Sequence, residues 1–211
     1  MIMPRETEFL SIHAPNALNR AVQIVQAGGL IIFPTDTLYG IAANPFDPQA
    51  LHALYLAKGR PENKAIPVLL AEPSQANAFI QPPSARVKAL MNAFWPGALT
   101  LVLSKAGGLP EELSPYPTLA LRVPDHPLAQ TLLALTGPLA VTSANLSGGE
   151  NPRSGRAVYE IMRGRADLVL DGGVLESGKA STIVDCSGLQ PILLREGPVA
   201  FAEIQKVWGS A

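Results

Sequence analysis

Short apolar runs alternate with helical segments along almost the whole chain, and this alternation restricts the fold more than any other feature. Each run is rich in leucine, isoleucine or valine and ends near a glycine, a proline or a polar turn, which is typical of buried strands. The predicted strands are Leu30–Phe33, Ile66–Leu70, Leu99–Leu103, Leu119–Val123, Leu139–Thr142, Leu168–Leu170, Thr182–Asp185 and Ile192–Leu194. We therefore expect a sheet whose strands are buried.

Helical segments lie between these strands, and most of them begin at a short polar residue or a proline. Such a side chain accepts hydrogen bonds from the free N–H groups of the first turn, and proline fits the first helical position. The predicted helices follow Asn16, Asp47-Pro48, Ser84 and His126-Pro127, cover Gly155–Met162 and begin near Pro198.

Strands that alternate with helices indicate an α/β layer structure. The later strands are separated only by turns, so the sheet is predicted to be mixed, with helices flanking it. No linker, repeat or low-complexity segment interrupts the 211 residues, and we expect a single domain spanning 1–211.

The charge balance excludes a strongly basic surface. Charged residues make up 16% of the chain and the net charge is −1, so affinity for nucleic acid would need a local basic patch. A single cysteine, Cys186, excludes an internal disulfide framework and favours the reducing cytosol, so we expect a cytoplasmic protein. The sequence contains no apolar run of membrane-spanning length and no evident signal peptide at its start.

Four predicted loops combine small hydroxyl residues, glycine or proline, and an isolated charge, and they are the candidate chemical sites. These loops are Pro34–Gly40, Lys58–Pro61, Thr142–Asn145 with Ser147–Gly149, and Leu194–Gly197.

Lys58 and Arg60 are two cations separated by a glycine at the end of a predicted helix. One interpretation is that they interact with the last carbonyl groups of that helix. The other is a triphosphate clamp, because lysine supplies a point charge and arginine a planar fork of donors. Since cations are few in this chain, we favour the clamp.

Ser143 and Asn145 follow the strand Leu139–Thr142 on either side of an alanine, so their side chains point the same way if the backbone stays extended. They could donate to phosphate oxygens or a nucleobase, assisted by N–H groups of the Gly148-Gly149 turn. The alternative is a plain polar turn. Asn145-Leu146-Ser147 also matches a glycosylation sequon, which no secretory signal supports.

Two other kinds of site are not favoured. Gly173–Ala180 has the glycine and lysine spacing of a phosphate-binding P-loop, but an alanine occupies the hydroxyl position and a strand follows instead of a helix. His13, His52 and His126 lack metal-ligand spacing, so no metal site is predicted.

Eight motifs in order resemble the YrdC family of threonylcarbamoyl-AMP synthases and their relatives. They are PTDTLYGIAANPFD, KGRP, FWPGALTLVL, LRVPDHP, VTSANLSG, LVLDGG, STIVD and LREG, and they span Gly28 to Gly197. Because the chain ends soon after the last motif, it resembles the short, TsaC-type members. The resemblance implies a twisted mixed sheet flanked by helices, with a concave, positively charged cavity.

The resemblance also implies an activity: synthesis of L-threonylcarbamoyladenylate from L-threonine, bicarbonate or CO2, and ATP, with release of pyrophosphate. Mg²⁺ is expected to accompany the phosphates. The product would pass to partner proteins that form N6-threonylcarbamoyladenosine in tRNAs reading ANN codons.

Residue roles carry over from the matching motifs. Lys58, Arg60, Ser143, Asn145 and Arg195 are expected to hold the ATP, with Lys58 and Arg60 as the catalytic cations. Thr35, Tyr39, Arg122 and Ser181 are expected to bind threonine, with the arginine on its carboxylate.

The chain departs from the family pattern at a few positions. Asp36 stands where many members have glutamate, Lys64-Ala65 and Leu69 replace an asparagine-proline and a nearby histidine, and Ala180 replaces a glutamate.

Two other functions are weighed beside the synthase. The first is a double-stranded RNA-binding or ribosome-maturation factor of the same fold, with contact to tRNA or double-stranded RNA. For this function Arg153, Arg156, Arg163 and Arg165 could form a basic stripe, although they could also be an ordinary solvated helix face. The second is a related carbamoyl-adenylate step of larger proteins, disfavoured because zinc-finger and acylphosphatase-like segments are absent from the sequence.

Overall fold

Ten strands form one sheet in the computed structural model, which describes residues 6–61 and 63–211. The strands are β1 (Glu8–Ser11), β2 (Ile31–Pro34), β3 (Tyr39–Ala43), β4 (Val68–Leu69), β5 (Leu99–Ser104), β6 (Thr118–Arg122), β7 (Leu139–Ser143), β8 (Leu168–Asp171), β9 (Thr182–Asp185) and β10 (Ile192–Arg195). Their order across the sheet is β1-β8-β2-β3-β7-β4-β6-β5-β9-β10.

The sheet is mixed, as predicted. Strand β8 pairs in parallel with β1 and β2, and the β4–β6 and β5–β9 pairs are also parallel. The pairs β2–β3, β3–β7, β4–β7, β5–β6 and β9–β10 are antiparallel. Parallel neighbours need a crossover connection, which the helices supply. The α/β class is thereby confirmed.

Six α-helices flank the sheet in the described ranges. They are α1 (Ala17–Gln26), α2 (Pro48–Lys58), α3 (Ala85–Phe94), α4 (Pro127–Thr136), α5 (Gly155–Met162) and α6 (Phe201–Gly209). The caps predicted at Asp47 and Ser84 are confirmed, because each side chain accepts hydrogen bonds from the first helical turn. The cap predicted at Asn16 is wrong: this residue already has helical backbone angles, and its side chain accepts no capping bond.

The two faces of the sheet are covered unequally. Ile32 of β2 and the preceding Leu30 join a core shared with helices α2, α3, α5 and α6, whereas Ile31 and Phe33 of β2 join a smaller core with α1 and α4. Successive side chains of a strand point to opposite faces, which explains this division. The smaller core covers the half of its face around β2 and β8, and the half around β4, β6, β5 and β9 lines a cavity instead.

Two strands were missing from the sequence prediction. Strand β3 begins inside the segment interpreted as the Pro34–Gly40 loop, so Tyr39 and Gly40 are strand residues and only a tight hairpin turn precedes them. Glycine and alanine have low intrinsic strand preference, and pairing with β2 and β7 overrides it. Strand β1 lies in the polar start of the chain and pairs with β8.

No helix in the described part of the chain is long and apolar enough to cross a membrane. The interpretation of the chain's start as lacking a signal peptide falls partly on residues 1–5, which lie outside the described residues. A single domain over 1–211 remains a prediction.

Candidate active site

A cavity of about 390 Å³ opens on the half of the sheet that α1 and α4 leave uncovered. Its floor is formed by alternate residues of neighbouring strands: Thr100 and Val102 of β5, Ala120 and Arg122 of β6, and Ile183 of β9. The intervening leucines of β5 and β6, and Val184 of β9, point to the opposite face and belong to the larger core. The mostly small side chains of the floor leave room for a ligand.

Gly40 contributes to the same opening from β3. A Cβ atom at this position would lie 2.5 Å from Cγ1 of Val141, closer than packed atoms approach, so a larger residue would force the Val141 side chain to shift. Both residues line the cavity. Glycine is therefore required here by the close approach of β3 and β7.

Most of the residues predicted from the sequence line this one cavity. They are Thr35, Tyr39, Arg60, Arg122, Ser143, Ser181 and Arg195. Lys58 and Asn145 do not line it; they lie directly behind Ser143, which does.

Lys58 is buried, with 2% of its surface exposed, and its ammonium group faces a loop rather than solvent. The Nζ atom donates to the carbonyl oxygen of Ser143, to the carbonyl oxygen of Asn145 at 2.6 Å, and to Asn145 Oδ1 at 3.1 Å. These three bonds match the three donors of an ammonium group. Burial, together with the nearby charge of Arg60, lowers the pKa of Lys58 to about 8.

The loop that Lys58 holds is closed by its own polar side chains. Ser143 Oγ donates to Asn145 Oδ1 at 2.6 Å, and Asn145 Nδ2 donates to the carbonyl oxygen of Gly149 at 2.6 Å. The serine and asparagine side chains therefore contact each other, but the backbone turns after Ser143, where β7 ends, instead of staying extended as the prediction required. We call Lys58, Ser143 and Asn145 the lysine corner.

Arg60 and Arg195 are each fixed by hydrogen bonds from two of their three nitrogens. Arg60 donates from Nη2 to the carbonyl oxygen of Ala65 at 2.9 Å and more weakly from Nε to that of Lys64 at 3.4 Å. Arg195 donates from Nε to the carbonyl oxygen of Ser181 at 2.9 Å and from Nη2 to its hydroxyl at 3.1 Å. Among the described contacts, Nη1 of both arginines has no protein partner, so each guanidinium is oriented but still able to bind an anion.

Arg122 is 5% exposed and is held by three protein groups. It donates from Nε to the carbonyl oxygen of Gly97 at 2.8 Å and from Nη1 to Thr37 Oγ1 at 2.7 Å, and Nη2 forms an ion pair with Asp36 at 2.5 Å. Burial lowers the pKa of Arg122, and the adjacent carboxylate opposes that effect. We call Asp36, Thr37 and Arg122 the arginine corner. Since a guanidinium has five N–H donors, two remain for a ligand.

Thr35 and Tyr39 are engaged by the backbone. Thr35 Oγ1 donates to the carbonyl oxygen of Leu38 at 2.7 Å, which shapes the β2–β3 turn. The Tyr39 hydroxyl accepts a bond from the N–H of Gly172 at 3.0 Å and donates to the carbonyl oxygen of Gly173 at 2.8 Å. Burial raises the pKa of Tyr39. These side chains therefore shape the cavity wall as well as lining it.

Two polar lining residues, Thr100 and Asn151, were not singled out from the sequence. Thr100 interrupts the apolar run Leu99–Leu103, so a hydroxyl in a buried strand was the available signal. Nothing in the residues around Asn151 distinguishes it from an ordinary polar loop residue.

The segment Gly173–Ala180 is not a P-loop, as expected: it leads directly into strand β9, whereas a P-loop leads directly into a helix. Its last residue, Ala180, nevertheless lines the cavity.

The cavity is positively charged. Three arginines line it, and among the lining residues of the described chain none is aspartate or glutamate. The described residues also contain no cluster of three histidine, cysteine, aspartate or glutamate side chains suited to hold a metal ion. The site therefore offers cationic donors for an anionic ligand.

Comparison with known proteins assigns the chain to a family. Residues 23–197 match the Sua5/YciO/YrdC family model, described as telomere recombination. The threonylcarbamoyl-AMP synthase of Bacillus subtilis is 38% identical over 209 residues, which cover 96% of this chain and 59% of that protein. A Mycobacterium tuberculosis relative is 40% identical over 190 residues, covering 90% of this chain and 88% of its own length.

The crystal structure of P. abyssi Sua5 complexed with L-threonine has the same fold, with a TM-score of 0.89 and 33% identity. The match covers 95% of this chain and 60% of that one. The chain thus spans about three fifths of the length of two of these three relatives. Because the family model matches residues 23–197, a range that includes every predicted site residue, the chain belongs to the Sua5/YciO/YrdC family.

Proposed function

We propose that this chain is an L-threonylcarbamoyladenylate synthase, a nucleotidyltransferase that uses L-threonine, bicarbonate or CO2, and ATP. The observation that carries the proposal is the cavity, which is lined by Arg60, Arg122 and Arg195. Three guanidinium groups without a lining carboxylate suit a polyanion together with an amino-acid carboxylate. The resemblance to a relative complexed with L-threonine supports the same assignment.

The proposed reaction has two bond-forming steps. The amine of threonine attacks CO2, formed from bicarbonate by loss of hydroxide, and releases a proton to give a carbamate. A carbamate oxygen then attacks the α-phosphorus of ATP, the bond between the α-phosphorus and the bridging oxygen breaks, and pyrophosphate leaves. No protein nucleophile takes part. The rate comes from positioning the reactants and neutralising charge, and each phosphate cation is worth about 10² to 10³ in rate.

ATP is assigned to the side of the cavity next to the lysine corner. Arg60 and Arg195 would donate to phosphate oxygens through their Nη1 groups, which have no partner among the described contacts. Lys58 acts there by holding Ser143 and Asn145 in place, and its charge adds to the attraction for phosphate.

Threonine is assigned to the arginine corner and its surroundings. The two unused N–H groups of Arg122 would bind the carboxylate. Thr35, Tyr39 and Ser181 form the nearby wall and give the mixed polar and apolar surface that a hydroxyl and a methyl group need. Because the Tyr39 hydroxyl already binds Gly172 and Gly173, we assign the ring rather than the hydroxyl to the substrate.

Mg²⁺ is assigned to the substrate rather than to the protein. Oxygen ligands hold this ion, and the lining residues of the described chain include no carboxylate to supply them. It would therefore arrive on the ATP phosphates, where it neutralises their charge.

The proposed cellular role follows from the product. Threonylcarbamoyl-AMP is a reactive mixed anhydride, so it would pass to partner proteins that modify tRNA, and we place this step in the cytoplasm.

An RNA-binding function receives less support from the surface arginines of α5 and the loops at its two ends. Arg156 and Arg163 each form an ion pair with Glu160. Arg165 donates to the carbonyl oxygen of Ala57, and Arg153 donates to two carbonyl oxygens of a loop. Paired or inward-facing charges attract a phosphate backbone weakly.

The test is pyrophosphate release measured with ATP and bicarbonate, with and without L-threonine. We expect release only when threonine is present. Release that is independent of threonine would overturn the proposal, whereas a salt-dependent shift with duplex RNA and no binding of ATP would favour the RNA function.

A further inference from the structure

Thr100 is a buried polar residue that lines the cavity and has no role in the function proposed above. It lies in the middle of β5, only 4% of its surface is exposed, and it lines the cavity. Its Oγ1 lies 2.8 Å from Oγ of Ser181, which is the only partner of that hydroxyl among the described contacts.

Ser181 is in turn bound by a permanent donor. Arg195 donates from Nη2 to Ser181 Oγ at 3.1 Å, and a guanidinium cannot accept in return. Ser181 is 5% exposed, so its remaining hydrogen-bonding capacity faces either Thr100 or the cavity.

The hydroxyl groups of Thr100 and Ser181 carry more protons than their shared hydrogen bond uses. Each hydroxyl has one proton, and a single hydrogen bond joins Thr100 to Ser181, so one O–H is left over. If Thr100 donates to Ser181, the serine accepts two bonds and its own O–H is free to donate into the cavity. A buried hydroxyl with an unused donor favours a ligand oxygen at that point.

We propose that Thr100 is a positioning residue that directs the Ser181 O–H towards the side-chain hydroxyl of the amino-acid substrate. This inference rests on the proposed synthase function, and it adds how a hydroxyl-bearing amino acid is selected. The apolar floor residues Val102, Ala120 and Ile183 lie beside the pair and suit the methyl group of threonine.

The test compares threonine with L-2-aminobutyrate, which has the same carbon skeleton and lacks the hydroxyl. In Thr100→Val the methyl-bearing shape stays and the donor is lost, so the Ser181 O–H is no longer directed. We expect the KM for threonine to rise about 3- to 10-fold with kcat nearly unchanged, as for the loss of one hydrogen bond. The inhibition constant of 2-aminobutyrate against threonine should not change.

Two further variants complete the test. Thr100→Ser keeps the hydroxyl and should restore the KM for threonine. Thr118→Val makes the same substitution on the neighbouring strand β6, outside the cavity lining, and should leave both constants unchanged.

The outcomes separate this inference from the proposed function. An equal loss of affinity for threonine and 2-aminobutyrate in Thr100→Val would mean that Thr100 only supports the fold, and an unchanged KM would also overturn the inference. If the unaltered protein releases no pyrophosphate in response to threonine, the proposed function itself has failed.

Discussion

The two corners of the cavity stabilise a buried cation in different ways. In the lysine corner, Lys58 is surrounded by carbonyl and amide oxygens, which are dipoles without net charge. In the arginine corner, Arg122 faces the full negative charge of Asp36 at 2.5 Å. The lysine corner therefore keeps one net positive charge, whereas the charges of the arginine corner cancel.

This difference suits the two proposed substrates. A triphosphate is held by net positive charge, which the lysine corner and Arg60 supply together. An amino acid carries both a carboxylate and an amine, so it is held better by a fixed set of donors without excess charge. The comparison predicts that changes in the lysine corner alter nucleotide binding and turnover, and that changes in the arginine corner alter stability first.

Removing the cation of the lysine corner, or the neighbouring Arg60, should have the largest effect on turnover. We expect Lys58→Ala and Arg60→Ala each to lower turnover at least about a hundredfold. Arg60→Ala removes a cation that lines the cavity, whereas Lys58→Ala removes a charge behind the cavity wall together with the donor that holds Ser143 and Asn145. Turnover is measured as threonine-dependent pyrophosphate release.

The two variants differ in their structural cost, which makes the test informative. Lys58→Ala leaves three loop acceptors without their donor, whereas Arg60→Ala loses one short bond, to Ala65. Circular dichroism should show both variants folded, and Lys64→Ala, an exposed lysine in the same segment, should remain fully active. Normal turnover in both Lys58→Ala and Arg60→Ala would remove the clamp assignment.

Removing the negative charge of the arginine corner should mainly affect stability. Asp36→Asn keeps an acceptor oxygen but leaves the charge of Arg122 uncompensated, and we expect the free energy of unfolding to fall by about 1–3 kcal/mol. Urea denaturation measures this change, and Asp36→Glu, which retains the charge, serves as the control. Equal stability of Asp36→Asn and the unaltered protein would show that the corner does not depend on charge compensation.

The smallest predicted effect is a pH dependence confined to the lysine corner. Lys58 is cationic below its pKa of about 8, so raising the pH from 7 to 9 should weaken binding of a non-hydrolysable ATP analogue, by at most about tenfold per pH unit. The folded-state pKa of Lys58 is about 8, whereas its ordinary value is 10.5. Between these two pH values the unfolded chain binds more protons at Lys58 than the folded chain does, so the contribution of Lys58 to the free energy of unfolding rises with pH.

Calorimetric titration at several pH values checks this prediction, and Lys58→Ala should lack the step. A flat affinity profile for the unaltered protein between pH 7 and pH 9 would contradict the net charge assigned to the lysine corner.

Much of the fold could be predicted because local patterns and tertiary packing agree. The apolar runs that become β5 and β7, and the caps at Asp47 and Ser84, form where their residue types favour them. Strand β3 could not be found in this way, because it depends on neighbours on both sides rather than on its own composition.

The site was predicted in its membership but not in its internal contacts. Motif resemblance indicated Arg122 and Lys58, yet it could not indicate that one is paired with Asp36 and the other turned towards Ser143 and Asn145. Such contacts depend on strands that are distant in sequence and adjacent in the sheet. Thr100 was overlooked for the same reason, since only the pairing of β5 with β9 brings it near Ser181.

The burial of Lys58 against the loop of Ser143 and Asn145 has a consequence for inheritance. Two motifs more than eighty residues apart in the chain act as one unit, because the ammonium group of one satisfies the oxygens of the other. A descendant that loses the lysine leaves two carbonyl oxygens of the loop without this donor, and Asn145 Oδ1 keeps only the bond from Ser143 among the described contacts. The two should therefore disappear together from lineages that abandon the reaction, and a gene retaining only one of them would mark a protein in transition.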